Sequence, residues 1–207
     1  MIPIPIVDRA HIAGLVLAAG ESSRMGRDKA LLTYRGRTFL ETVVTKLKEA
    51  GLERVMIVLG HQAEAIQRAL GLPAGEVVIN HLYRRGQTSS LQEGLAALSL
   101  RDASLDGVVL SLVDHPAFEP ATVSSLIAEF HRASAAVIIP SYQGSRGHPV
   151  LIARSLFGPL LALQPDQGAN SVIRASADHI RTLEVPDPGI LVDIDVPESY
   201  HALEQRG

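Results

Sequence analysis

Short runs in which every residue is apolar alternate along this chain with longer segments whose apolar residues recur at helical spacing. The first run covers 12–18, and a helical segment follows at about 38–50. Strand-like 55–59 precedes a helix at about 62–70, 77–79 precedes one at about 89–98, and 108–113 precedes one at about 120–133. A strand that is apolar at every position, and not at every second one, needs cover on both faces. The pattern therefore predicts a largely parallel sheet inside an α/β sandwich. After a run at 136–139 the rhythm changes: a glycine-rich loop over 140–149 leads into 150–152, as in a hairpin-like excursion. Short helices at about 155–163 and 170–175, strands at 180–185 and 191–194, and a last helix from about 197 complete the reading.

With 207 residues, one generous domain is expected over 1–207. Apolar residues at 46% and charged residues at 20% exclude disorder as the main state. The net charge of −3 supplies no positive field for nucleic acid or anionic lipid. With no cysteine, any metal must bind through oxygen or imidazole, and no thiol nucleophile exists. The first ten residues lack a basic start and carry two prolines, and no apolar run reaches the length of a membrane span, so a cytoplasmic protein with no membrane partner is expected.

In an open parallel sheet, ligands bind outside the carboxyl ends of strands, so the residues directly after the apolar runs carry the chemistry. After the first run stands Leu17-Ala18-Ala19-Gly20-Glu21-Ser22-Ser23-Arg24-Met25-Gly26-Arg27-Asp28-Lys29. Small residues admit close backbone approach, and Arg24 and Lys29 offer two cations to a polyphosphate. The loop is neither a P-loop, which would need glycine where Met25 stands, nor a dinucleotide fingerprint, which would need it at Ser22. Asp114 closes the run at 108–113, a position that suits Mg2+, a hard cation taking oxygen ligands. On a strand, Asp193 and Asp195 would face the same way. Asn80, Ser89 and Ser90 are candidates for holding the base or ribose. The loop at 144–149 and the segment 166–170 are the candidate acceptor pocket, where His148 has hydrogen bonds to offer a phosphate or a heterocycle. No metal-site histidine spacing and no serine nucleophile elbow are present.

The Leu-Ala-Ala-Gly string with Ser22, Arg24-Met25-Gly26 and Lys29 resembles the signature of the nucleotidyltransferases that include molybdenum-cofactor guanylyl- and cytidylyltransferases, the MobA-like NTP transferase family. More distantly it resembles sugar-phosphate and methylerythritol-phosphate nucleotidyltransferases. The likeness continues through Gly60-His61, Asn80, Ser89-Ser90-Leu91, Asp114-His115-Pro116, Gly147-His148-Pro149, Asp166-Gln167-Gly168-Ala169 and Asp193-Ile194-Asp195. It implies a three-layer α/β/α sandwich with a Rossmann-like, mostly parallel sheet of the nucleotide-diphospho-sugar transferase type. Residues of about 10–116 would bind the nucleotide and about 117–207 the acceptor.

By the same resemblance, Leu17, Ala18, Ala19, Gly20 and Ser22 hold the nucleotide, while Arg24 and Lys29 neutralise its triphosphate. Asp114 and Asp195 hold Mg2+, and Arg24, Lys29 and Asp114 are the catalytic set. Gly147, His148, Pro149, Asp166 and Gly168 meet the acceptor. The implied reaction transfers a nucleoside monophosphate to a phosphorylated acceptor and releases pyrophosphate. Ala19 before Gly20 resembles the cytidylyl-transferring members and favours CTP. Gly-His-Pro resembles the branch that acts on molybdopterin, whose product a molybdoenzyme would receive. Asn170 stands where the family's acceptor motif usually ends in arginine. The rivals are the same chemistry on a sugar 1-phosphate or methylerythritol phosphate, and a non-catalytic escort, which would have lost Arg24, Lys29 or an acidic ligand.

Overall fold

Burial of all but the first residue of β1 (Ile12–Ala18) places this strand inside the sheet, where an uninterrupted apolar run is stable. The structure, a computed structural model, describes residues 11–164 and 167–204. After β1 come a short antiparallel pair, β2 (Thr33–Tyr34) and β3 (Arg37–Thr38), then α1 (Phe39–Glu49), β4 (Val55–Leu59), α2 (Ala63–Ala69), β5 (Val77–Ile79) and α3 (Gln87–Arg101). β6 (Gly107–Leu112), α4 (Pro120–Arg132), β7 (Val137–Tyr142), β8 (Ser145–Arg146) and β9 (Val150–Ala153) follow. The chain closes with α5 (Phe157–Leu161), α6 (Ala169–Ala175), β10 (Ile180–Glu184) and α7 (Pro197–Glu204).

The main sheet has the order β10-β7-β9-β6-β1-β4-β5, with β8 paired to the end of β7. β1 runs parallel to β4 and β6, β4 to β5, and β7 to β10; β9 is antiparallel to both its neighbours. Helices cover both faces. Phe39, Leu40, Val43 and Leu47 of α1 and Val123 and Leu126 of α4 pack on one side, and Leu91, Leu95 and Leu98 of α3 with Phe157 and Leu160 of α5 on the other. The result is the expected α/β/α sandwich. Local chemistry fixes the helix starts: Thr38 and Glu41 close a capping box on α1, and Pro120 occupies the first turn of α4, where no N–H is needed.

Two expectations change. The stretch 140–142, read as loop, extends β7. Pro140 is tolerated because the β9 ladder ends at Ile138, so no partner on that side needs its N–H. The strand expected at 191–194 is absent: Pro188–Leu191 forms a tight helical turn capped by Asp187, and the chain continues without ladder partners. One backbone hydrogen bond, from Ile194 N to Asp114 O at 3.0 Å, ties it to the end of β6, and Ile194 buries its side chain. Asp193 and Asp195 therefore do not share a strand face.

Candidate active site

The loop after β1 folds back on itself because small residues admit a left-handed backbone at Ser22 and Gly26, with the amides of Met25 and Gly26 bonded to Ser22 O. Met25 buries its side chain and anchors the loop. Ser22 Oγ accepts from Lys29 N at 3.0 Å, and Asp28 Oδ1 caps the turn at Ala30 N, so the Lys29 side chain enters the cleft. The end of β4 presses against the other side. A Cβ on Gly60 would stand 2.7 Å from Ala19 O, and His61 N donates to that same carbonyl. Only glycine permits this approach.

Leu17, Ala18, Ala19, Gly20, Ser22, Arg24, Lys29, Ser90, Asp114 and Asp195 line one cleft of about 330 Å³. Lys29 Nζ donates to Asp114 Oδ2 at 2.9 Å and also to Asp195 Oδ1, while Arg24 bonds the other oxygen of Asp195 at 2.8 Å. Burial works against the Lys29 charge, but Asp114 and Asp195 outweigh it and raise its pKa; the hydrogen bond from Lys29 in turn holds Asp195 low. Both cations expected to meet a triphosphate are thus held in the cleft by carboxylates.

A second donor group lies beside this network. Ligand atoms of Asp114, His115 and Asp193 fall within 4.8 Å of one another. Asp114 Oδ1 and His115 Nδ1 are buried with no hydrogen-bond partner. Burial, followed by the Asp114 charge, raises the pKa of Asp193. Crowded carboxylates with an orphaned buried oxygen are stabilised by a divalent cation, so the residues fit a metal. Asp195, expected to share the metal with Asp114, bonds Arg24 and Lys29, while Asp193 and His115 are the residues grouped with Asp114; without a strand at 191–194 the two aspartates face different neighbours.

Asn80 and Ser89 are not in the cleft wall. Asn80 is fully buried; its Nδ2 donates to Ser89 Oγ at 2.9 Å and Ser90 Oγ at 3.0 Å, and its Oδ1 accepts from Leu82 N. With its polar atoms occupied, it reaches a ligand only by placing Ser90 at the start of α3.

Gly147, His148 and Gly168 line a separate pocket of about 560 Å³ that meets the cleft along Leu17, Gln87 and Leu112. Its floor is apolar: Leu110, Ile139, Val150 and Ile152 contribute. A Cβ on Gly147 would collide with Ile190 O, so glycine lets this loop seat against the turn at Pro188–Leu191. The His148 ring lies 5.0 Å from that of His115, and burial, with the neighbouring His115, lowers its pKa to about 4, leaving it neutral. Pro149 follows a cis peptide bond and does not line the pocket. Asp166 lies outside the described residues. Sequence reasoning passed over Tyr83 and Gln87 in the cleft wall and Arg146 and Arg174 around the pocket. For Gln87 and Tyr83 the available signal was their place after the third strand, and for Arg146 its place in the candidate acceptor loop at 144–149; for Arg174 none existed.

Among the described residues no helix is long and apolar enough to cross a membrane. Comparison with known proteins places this geometry. The MobA-like NTP transferase domain matches residues 14–180. The chain is similar to nicotine blue oxidoreductase of Paenarthrobacter nicotinovorans, with 31% identity over 95% of this chain and 98% of the relative. A probable molybdenum cofactor guanylyltransferase of Opitutus terrae is 36% identical over 61% of this chain and 59% of its own length. The molybdenum cofactor cytidylyltransferase of Escherichia coli is 24% identical over 93% and 95%. Among solved structures, that of Rv0371c from Mycobacterium tuberculosis superposes with a TM-score of 0.82 at 32% identity, covering 95% of this chain and 98% of that one, and the same protein has been solved in complex with manganese. With its glycine-rich loop, its paired cations and its strand-end carboxylates in one cleft, this chain belongs to the MobA-like NTP transferase family of nucleotidyltransferases.

Proposed function

We propose that the protein transfers CMP from CTP to molybdopterin or its metallated form, releasing pyrophosphate, with Mg2+ as the metal. The observation that carries this reading is the junction of a charged cleft at the ends of β1 and β6 with an apolar pocket, through shared walls at Leu17, Gln87 and Leu112. One cavity suits a triphosphate and the other a flat acceptor. The lean to CTP rests on Ala19 before Gly20 and on the cytidylyltransferase among the relatives.

In this mechanism Leu17 to Gly20 and Ser90 hold the nucleoside, and Arg24 and Lys29 exchange their carboxylate partners for the β- and γ-phosphates. Asp114, with Asp193 and His115 at its side and Asp195 across Lys29, would hold the metal. When bound, the metal supplies Lewis-acid polarisation of phosphate oxygens. An oxygen of the acceptor's phosphate forms the new bond to the α-phosphorus. The bond to the β-phosphate oxygen breaks, and pyrophosphate leaves with that electron pair while Arg24 and Lys29 stabilise its charge. No protein nucleophile is required, because a phosphate monoester already carries a competent oxygen. Gly147, His148 and Gly168 would border the acceptor, with Pro149 next in the chain, and Asp166 is kept as an acceptor residue on the resemblance alone. The nucleotide part at 10–116 would be completed by Asp195 from the acceptor part at 117–207. The product would pass to a molybdoenzyme, in the cytoplasm.

The test is a thermal-shift panel with Mg2+ and each of CTP, GTP, ATP and UTP, followed by pyrophosphate release with molybdopterin. A ligand at about 100 times its Kd adds about 2.7 kcal/mol of stability. Selective stabilisation by CTP and release of pyrophosphate on adding molybdopterin support the reading. Turnover only with a sugar 1-phosphate or methylerythritol phosphate replaces the acceptor. Nucleotide binding without pyrophosphate release from any acceptor replaces the reaction, leaving an escort protein or a redox reaction of the kind named for the Paenarthrobacter relative.

A further inference from the structure

The acceptor pocket has a direction that the strand register reveals. Ile180 pairs with Val137, Val137 with Ile152, and Ile152 with Val108, so these residues form one row across the sheet. Leu112 and Ser141 each lie four residues further along their strands. At about 3.3 Å per residue, the pocket wall from Ile180 to Leu112 runs about 13 Å along the strands. Leu112 is shared with the nucleotide cleft and Ile180 belongs to the second pocket alone, so the reacting end is at Leu112.

Among the described residues the only fully charged side chains lining this pocket are Arg146 and Arg174, and none that lines it is acidic. Among the described residues neither arginine makes a salt bridge. Arg146 on β8 pairs with Ser141, in the row of Leu112. Arg174 is at the other end. α6 begins beside Thr88, whose Oγ1 donates to Gln167 O at 2.9 Å. The chain beyond it returns to the start of β7, where Ala136 N donates to His179 O. Arg174, in the last turn of α6, therefore stands on the side of the Ile180 row and Arg146 on the side of the Leu112 row, around a pocket whose lining includes Leu110, Ile139 and Ile152.

We infer that the two arginines divide the acceptor between them: Arg146 neutralises the reacting phosphate, and Arg174 reads a hydrogen-bond-accepting edge, such as a ring carbonyl with an adjacent ring nitrogen, at the far end of a flat fused-ring body. Arginine suits this second task because its planar fork donates two parallel hydrogen bonds and stays charged. The inference rests on the nucleotidyltransferase reading and adds the shape of the substrate: elongated, aromatic in the middle, phosphate at one end and a polar ring edge at the other. It makes Arg174 a specificity residue against sugar phosphates, which lack an apolar plane.

The probe is 6-hydroxymethylpterin, a fluorescent fused ring without phosphate, titrated into wild type, Arg174→Ala, Arg174→Lys and Arg146→Ala. Loss of a charge-assisted contact lowers pterin affinity at least tenfold in Arg174→Ala, with partial recovery in Arg174→Lys, and changes it less than twofold in Arg146→Ala. The CTP and Mg2+ thermal shift stays at the wild-type value in all three variants, which reports an intact fold and nucleotide cleft. Equal pterin binding by Arg174→Ala and wild type, equal weakening by both alanine variants, or no pterin binding by wild type overturns the inference while leaving nucleotidyl transfer standing. Loss of the nucleotide shift in wild type instead overturns the reading on which it rests.

Discussion

The charged cleft proposed for the nucleotide and the pocket proposed for the acceptor share three wall residues and are built in opposite ways. In the cleft, charges are concentrated and already satisfied by one another: Lys29 bridges Asp114 and Asp195, and Arg24 closes on Asp195. In the pocket, an apolar floor is flanked by two arginines that find no carboxylate among the described residues. A cleft that pairs its own charges must exchange partners when a ligand arrives, so binding there favours a highly charged ligand that can replace every contact. A pocket whose cations have no carboxylate partner among the described residues exchanges none of these on binding, and favours a ligand with few polar groups in the right places. On the proposed reading, the difference assigns the charge to the nucleotide and the shape to the acceptor.

Four experiments break or sharpen this contrast. The largest effect is expected at Asp114, which belongs to both the Lys29 network and the candidate metal group. Asp114→Ala should lower the rate of pyrophosphate release on the order of a thousandfold. Its circular dichroism should match wild type, and normal turnover in a folded variant would remove the metal from Asp114.

On the pocket side, His148 makes a pH-dependent contribution. The folded protein holds it at about 4 against an ordinary 6.5, so the unfolded chain binds more protons between those values. Stability is complete above the upper value and declines as pH falls towards the lower one, by about 3 kcal/mol in all. Urea denaturation in EDTA at about pH 7 and about pH 5 should show this decline in wild type and a shallower one in His148→Phe. Parallel declines would assign the acid sensitivity elsewhere.

Lys29→Ala comes third. Losing its charge-assisted contacts should reduce kcat/KM for the nucleotide about a hundredfold, in both kcat and KM. Kinetics equal to wild type would take Lys29 out of the triphosphate site. The smallest effect is expected where a residue acts from behind the wall. Asn80→Ala leaves the amide of Leu82 and two serine hydroxyls without their partner and should cost about 2 kcal/mol in chemical denaturation. Nucleotide affinity should fall with that stability, and Ser90→Ala should weaken binding with little loss of stability. The reverse pattern would make Asn80 the ligand contact and Ser90 the support.

The parts of the site that were legible in the sequence are those whose position follows from one strand end. Gly20, Arg24 and Lys29 come directly after β1, and Asp114 directly after β6, so the rule that ligands sit at carboxyl ends of parallel strands located them before any fold was known. The acidic pair near the C-terminus was legible as a pair but not in its division of labour. Alternation predicted a common face for Asp193 and Asp195, whereas the turn at Pro188–Leu191 and the single bond from Ile194 to Asp114 send Asp193 towards His115 and Asp195 towards Lys29. Asn80 was legible as polar at a strand end, but its burial depends on how α3 returns over β5.

By itself, the sequence determined the alternation of strands and helices, the burial of the sheet on both faces, the glycine-rich loop after the first strand and the family. These follow from local period, from apolar runs that require two-sided cover, and from motifs contained in a few consecutive residues. Only the tertiary structure decided which carboxylate pairs with which cation, that Asn80 supports the cleft from behind, and that Arg146 and Arg174 line one pocket. Each of those facts joins residues distant in sequence through strand register and helix direction, and no local pattern encodes a distance between two elements that meet only when the core is packed.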